Sequence, residues 1–284
     1  MRHSVRIQGL VILLLLLLTV GIWYAVFRED RSEILAVSFL DVGQGDAIFI
    51  EAPSGRQVLI DGGPDRSVLR ELSKVLPWWD RSIDVVIATH PDADHITGLV
   101  DVLQRYKVGH IFHPGVDKST GPAESMLASV ASEGAQEVIA RRGQVIELGD
   151  NARIEILFPD RDVSDVETNT ASIVTRVVYG DTAFMLTGDS PQSIEKYLSQ
   201  VDGEALHANI LKAGHHGSRT SSSELFVGFV SPEYAVFSRG CDNSYGHPHQ
   251  EVIDLFKKFG VPTVDTCEEG TVTFVSDGRV VAKR

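Results

Sequence analysis

The chain has 284 residues, 26 Lys and Arg against 39 Asp and Glu for a formal net charge of −13, 43% hydrophobic and 23% charged residues. These values exclude a disordered tail, a collagen-like repeat and a polytopic transporter. They also exclude recognition of nucleic acid through a basic surface, so any attraction for phosphate must be local, as bound divalent cations would supply.

The hydrophobic pattern opens with residues 9–27, a charge-free, Leu-rich run of 19 residues. At 1.5 Å rise per residue such a run just spans a hydrocarbon core of about 30 Å. Arg2 and Arg6 precede it, while the flank Arg28-Glu29-Asp30-Arg31 is balanced. The positive-inside bias then keeps the N-terminus in the cytoplasm and sends the rest outside, with Trp23 and Tyr24 suited to the outer interface. An uncleaved single-pass anchor over 1–31 is expected. A cleaved signal peptide is the rival, and the long apolar core without a small-x-small site argues against it.

Residues 32–284 alternate short apolar runs with amphipathic stretches and show no low-complexity linker, so one further domain is expected. Strands are predicted over 34–40, 46–52 and 57–61, joined by Gly-rich turns. A strand over 83–90 leads to a helix over 95–106, and a strand over 107–113 to a helix over 122–133. Strands follow over 144–148, 152–159, 172–180 and 182–188, then a helix over 190–198, a strand over 205–213 and a helix from 222. A strand over 234–240, a helix from 248 and strands over 271–276 and 280–284 close the chain. Two β-rich halves, each trailing helices, predict an α/β fold with two sheets face to face and helices outside, a four-layer αββα sandwich. Cys241 and Cys267 each follow a predicted strand and are outside any CxxC motif. They could bridge in an outward-facing domain or remain free thiols.

The segment Thr89-His90-Pro91-Asp92-Ala93-Asp94-His95 carries the most chemistry, placing two imidazoles and two carboxylates at the carboxyl end of a buried strand. Such density can converge on one or two cations. The plain alternative, a turn in which Asp92 or Asp94 caps the next helix, explains neither histidine. Six of the ten histidines fall in three clusters, His90 with His95, His215 with His216 and His247 with His249, each after a strand. Asp189 ends another strand and could ligate or cap. The Ser221-Ser222-Ser223-Glu224 segment has capping-box spacing, and a helix starting there would offer free N–H groups to a phosphate. Asp41, Asp46 and Asp61 sit in Gly-rich turns suited to bonding loop amides and propping the metal loops. Trp78-Trp79 after Pro77 suits packing of a helix end into the core, or stacking on a base.

The HPDADH segment resembles the metallo-β-lactamase superfamily signature H-x-H-x-D-H, with Asp92 in place of the second histidine. DVGQGDA, LIDGG, LTGD, LKAGHHGS and YGHPH stand around it in the order found in the extracellular hydrolase domain of ComEC-type competence proteins, to which the chain is similar from about residue 35 onward. That resemblance implies hydrolysis at a centre of two divalent metal ions and a nuclease role on DNA. It makes His90 and Asp92 ligands of one ion, Asp94 and His95 ligands of the other, and Asp189 the bridge. For the late histidine ligand it offers His247 and His215, leaving His216, His249 and Lys212, with Asp94, for proton transfer or pairing with phosphate. Lys212 has a plain alternative as a strand-end lysine. Asn169 stands where the superfamily often has a further histidine. With Asp92 this makes the site oxygen-rich, shifting preference toward manganese over zinc.

The expected function is an anchored, extracytoplasmic phosphodiesterase or nuclease acting on DNA, in which two ions acidify water and clamp nonbridging oxygens, so that no Ser or Cys nucleophile is needed. A separate membrane channel protein is an expected partner, and no nucleotide cofactor is expected. The alternatives are a phosphocholine esterase or other small-ester hydrolase, and a noncatalytic module of a DNA-uptake complex.

Overall fold

The computed structural model describes residues 2–29, 33–116 and 120–284, with side chains from residue 6 to 24 and again from 33. Residues 30–32, which contribute to the flank used for orientation, and 117–119 lie outside the described residues. Helix α1 (Arg2–Glu29) contains a 19-residue window over Arg6–Tyr24 with mean hydropathy 2.3, none of it buried against protein. By length and composition it can cross a bilayer.

The domain that follows begins with β1 (Leu35–Phe39), β2 (Ile48–Glu51) and β3 (Gln57–Ile60), then α2 (Ser67–Val75), β4 (Ser82–Ile87), α3 (Ala93–Arg105), β5 (Lys107–His113), α4 (Gly121–Glu133) and β6 (Gln136–Ile139). Its second half runs β7 (Val145–Gly149), β8 (Ala152–Phe158), β9 (Val174–Tyr179), β10 (Thr182–Leu186), α5 (Gln192–Asp202), β11 (Ile210–Lys212), α6 (Glu224–Val230), β12 (Tyr234–Phe237), α7 (Gln250–Lys258), β13 (Thr263–Asp265) and α8 (Thr266–Glu269). Strands β14 (Val272–Ser276) and β15 (Val281–Lys283) return to the first sheet.

Among the described residues one sheet has the order β15-β14-β1-β2-β3-β4-β5-β6 and the other β13-β12-β11-β10-β9-β8-β7. Alternate residues of both sheets meet in a shared core that includes Val37, Phe39, Ile50, Ile60, Ile87, Ile154, Phe184 and Phe274. The other face of the first sheet buries Leu72 of α2, Ile96, Leu99 and Val102 of α3 and Met126 of α4. The outer face of the second buries Leu198 of α5, Phe226 and Val230 of α6 and Phe256 of α7. Each amphipathic helix thus covers one sheet with its apolar stripe, giving four layers.

Several local expectations are corrected. Residues 203–206 form a 3-10 turn, so the strand expected over 205–213 narrows to β11. Strands β6 and β13 lie at sheet edges and are short, with half-exposed sequences that carry little alternation. Ser221 does not cap α6: its hydroxyl donates to Ser190 O at 2.7 Å, and Glu224 pairs with Lys258 at 2.7 Å. The buried Glu195 side chain instead holds the two residues ahead of α6, accepting from Ser222 N at 2.7 Å and from the N of Ser223, the N-cap residue, at 2.6 Å. Those amides are therefore not free for phosphate. Trp78 and Trp79 do not pack a helix end into the core; they are 79% and 66% exposed. Cys241 and Cys267 are bonded, Cα atoms 5.1 Å apart.

Candidate metal centre

The parallel strands of both sheets deliver their carboxyl ends to one rim. There β1 runs into the Asp41–Asp46 turn, β3 into Asp61, β4 into the HPDADH loop, β10 into Asp189, β11 into His215-His216 and β12 into Ser238. Gly45 has φ +135°, and a Cβ there would lie 2.0 Å from the Asp94 carbonyl, so glycine is required where the first turn abuts the metal loop. His215 and His216 both hold positive φ, 48° and 55°. Consecutive left-handed non-glycine residues are strained and persist only where surroundings fix them, which here aims two imidazoles from one tight turn.

Asp189 is the focus. Its Oδ2 lies 3.3 Å from His95 Nε2, 3.4 Å from His216 Nε2, 3.6 Å from His215 Nε2 and 3.9 Å from His90 Nε2. His90 Nε2 is 3.7 Å from Asp92 Oδ2, and His216 Nε2 is 3.4 Å from Asp94 Oδ2. One donor atom each from Asp94, His95, Asp189 and His216 fall within 4.8 Å of one another.

Hydrogen bonds behind this group set the tautomers. Asp61 accepts from Thr89 N at 2.8 Å, from the Thr89 hydroxyl at 2.7 Å and from His95 Nδ1 at 2.8 Å. Because the Thr89 hydroxyl proton is committed to Asp61, its oxygen accepts from His90 Nδ1 at 3.0 Å. Ser238 O accepts from His216 Nδ1 at 2.8 Å. Each ring therefore spends its Nδ1 proton outward and turns Nε2 inward. The inward atoms His90 Nε2, His95 Nε2 and His216 Nε2, with Asp189 Oδ1 and Asn169 Oδ1, are buried and lack hydrogen-bond partners. Buried polar atoms left unpaired are costly, and this inventory of imidazole nitrogens, carboxylate and amide oxygens matches what divalent ions require. The residues fit the metals that the sequence suggests.

Burial alone would raise the Asp189 carboxyl, but His216, His95 and Lys212 hold it well below the usual carboxylate range. Burial would lower His95 and His216, but Asp189 and Asp61 hold His95, and Asp189 and Asp46 hold His216, well above the ordinary imidazole range, so a divalent ion binding there would displace a proton from each Nε2. Burial, then His95, pushes His90 down to about 3, so it is neutral and able to ligate. Burial, with the neighbouring imidazoles of His215 and His216, pushes His247 down to about 4.

The remaining predicted residues lie around this focus. His247 sits one ring farther out, its centroid 5.5 Å from His215 and 6.4 Å from His216, and His249 is 4.9 Å beyond it, accepting from Arg219 N through Nδ1 at 3.2 Å. His215 Nδ1 meets the Thr220 hydroxyl at 3.2 Å. Neither Asp92 nor Asp94 makes a side-chain cap of α3, and Asp189 lies outside the cap of α5, whose N-cap is Pro191. Lys212 is fully buried, 2.5 Å from Asp46 Oδ2, 3.5 Å from Asp189 Oδ1 and donating to Gly188 O at 2.9 Å. The pairing of Asp46 with Lys212 joins turns far apart in sequence, and no spacing rule could reveal it. An apolar cavity of about 320 Å³ adjoins the site, lined by His90, Pro91, Ile96, Pro114, Met126 and Ile139 among others.

The chain is 30% identical over 266 residues to ComE operon protein 3 of Bacillus subtilis, covering 86% of this chain and 33% of that protein. It is 32% identical over 254 residues to competence protein ComA of Neisseria gonorrhoeae, covering 88% of this chain and 33% of that protein. It thus spans about a third of the length of these relatives. Among solved structures, the metallo-β-lactamase fold protein YhfI of Bacillus subtilis superposes with a TM-score of 0.58 at 12% identity, covering 86% of this chain and all of that one. Igni18, a metallo hydrolase of Ignicoccus hospitalis, gives 0.55 at 17% identity, covering 84% and 98%. The model of the metallo-β-lactamase superfamily matches residues 40–240, from the Asp41 turn past Ser238, and the chain belongs to that superfamily.

Proposed function

We propose that this chain is a membrane-anchored, extracytoplasmic phosphodiesterase that cleaves DNA. The observation that carries the reading is the convergence on Asp189 of three buried imidazoles whose outward nitrogens are already committed and whose inward nitrogens are not. The relative named competence protein ComA supports DNA as the substrate. The bonded Cys241 and Cys267 support an oxidising compartment outside the cytoplasm, and α1 supplies the anchor.

His90 and Asp92 would hold one divalent ion and Asp94, His95 and His216 the other, with Asp189, which faces all three imidazoles, available to both. Zinc or manganese bound there supplies Lewis acidity and acidifies water near neutral pH. Placing His216 beside Asp94 gives it the ligand role that sequence reading offered to His247 or His215. His215, His247 and His249 then form a row from Asp189 toward the open face, where imidazoles can orient a phosphate or, once protonated, pass a proton to the leaving oxygen. Lys212 acts as a positioning residue, holding Asp46 and the Gly188 carbonyl behind Asp189.

A small diester is the competing substrate, favoured by the formal charge of −13. Full-length protein loaded with manganese or zinc should cleave linear DNA as well as bis-p-nitrophenyl phosphate, and Asp94→Ala should abolish both while leaving thermal unfolding close to the parent. Cleavage of the small diester alone would defeat the nuclease reading; undiminished turnover in Asp94→Ala would defeat the site.

A further inference from the structure

The two rims of the sandwich differ in what they present. Strands β1, β3 and β4 run in one direction, and their carboxyl ends carry Asp46, Asp61 and the HPDADH loop into the site. Their amino ends lie on the opposite rim, one strand length away, about 17–20 Å at roughly 3.3 Å per residue. There, in the turn before β4, Trp78 and Trp79 stand 79% and 66% exposed, touching each other edge to face with ring centroids 5.6 Å apart. Ile34 and Val280 are also exposed on this rim, at the start of β1 and in the β14–β15 turn.

The chain arrives at this rim from the apolar helix. Glu29 ends α1 and Leu35 begins β1. Six extended residues reach at most about 21 Å, and the helical residues from Tyr24, where the apolar window ends, to Glu29 add about 7.5 Å, so the rim lies within about 29 Å of the end of the span. Strands β1 and β4 are three steps apart in the sheet, about 14 Å at roughly 4.8 Å per step, which keeps the tryptophans within the same tether. The Tyr179 hydroxyl donates to Glu33 O at 3.1 Å and ties the entering chain to the base of the second sheet. Indole combines a large apolar body with one N–H donor, the combination favoured where acyl chains meet headgroups. Charges of both signs share the rim, Arg81 and Lys107 beside Asp80 and Asp277, so its distinctive feature is aromatic and not polybasic.

Resting on the anchored reading above, we infer that Trp78 and Trp79 seat the hydrolase domain on the bilayer that α1 enters, inserting at the headgroup boundary and turning the metal-binding rim away from the membrane. The occupant of this surface is lipid, and zwitterionic lipid suffices.

The test uses the full chain with Trp23→Phe, so that Trp78 and Trp79 alone emit, reconstituted in phosphatidylcholine vesicles. Flotation with the vesicles checks the anchor. In the floated protein, tryptophan emission should be blue-shifted, quenched by lipid brominated just below the headgroup and shielded from aqueous iodide. Trp78→Ser with Trp79→Ser should leave diesterase activity in detergent unchanged. Floated protein whose tryptophans are open to iodide and blind to brominated lipid overturns the inference while sparing the anchor; failure to float overturns both. A blue shift that grows with protein concentration and ignores brominated lipid assigns the surface to a second copy of the chain, and also overturns it.

Discussion

Replacing Lys212 with methionine should destabilise the domain far more than loss of a surface charge. The side chain is fully buried and its ammonium sits 2.5 Å from Asp46 Oδ2, 3.5 Å from Asp189 Oδ1 and 2.9 Å from Gly188 O. Methionine preserves most of the stem volume, so the change isolates the charge. It leaves Asp46, 1% exposed, facing only the imidazoles of His216 at 3.4 Å and His95 at 4.0 Å. Removing one partner of a buried pair costs about 3–5 kcal/mol, because the survivor is left desolvated. At about 2–4 °C per kcal/mol for a domain of this size, Tm should fall by roughly 6–20 °C. Adding Asp46→Asn should recover most of that loss, since the carboxylate nearest the lost ammonium is then neutral and Asp189 still faces His95 and His216. Thermal unfolding of parent, both single variants and the double variant, in detergent with chelator present to remove metal linkage, reads the cycle. A loss below about 1 kcal/mol for Lys212→Met, or simple additivity in the double variant, would refute the argument that this pair is a structural prop behind Asp189.

Asp61→Asn offers one acceptor oxygen where two are used by Thr89 and His95, so the tautomers of His90 and His95 loosen; metal affinity should drop about 10–100-fold in a manganese titration, and an unchanged affinity contradicts the orienting role. Glu195→Gln leaves one of the two amides of Ser222 and Ser223 facing a donor, for a loss of about 1–3 kcal/mol in thermal unfolding. Burial raises Glu195 from 4.5 to about 7, above its unfolded value, so its contribution is full below pH 4.5 and is lost as pH rises through 7. Glu195→Gln should flatten the stability profile between those values; an identical slope in parent and variant speaks against it. Reducing the Cys241–Cys267 bond, which spans 26 residues of sequence and closes the loop holding His247 and His249, should cost about 3 kcal/mol of stability, read as a lower Tm in dithiothreitol.

Much of this arrangement is legible in the chain because local pattern controls it. The apolar run before Thr89 and the polar cluster after it specify a buried strand ending in a ligand loop, and β4 followed by α3 is what forms. The Gly-rich turns around Asp46 and Asp61 likewise mark where backbone must turn sharply beside that loop. What spacing cannot carry is partnership between distant segments. Glu195 binds the amides leading into α6 from 27 residues away, where local sequence favours a Ser221 capping box. Lys212 finds Asp46 on the other sheet, and the choice among three late histidines depends on the left-handed turn at His215 and His216. The short edge strands β6 and β13 gain their pairing from neighbours and not from propensity.

Direct titration of manganese into chelator-treated full-length protein, followed calorimetrically for the parent and for Asp189→Ala, bears most immediately on the metal centre. Two equivalents should bind the parent, with the second lost and the first weakened in the variant. Binding that is absent in the parent, or that Asp189→Ala leaves intact in number and affinity, would contradict a centre organised on that carboxylate.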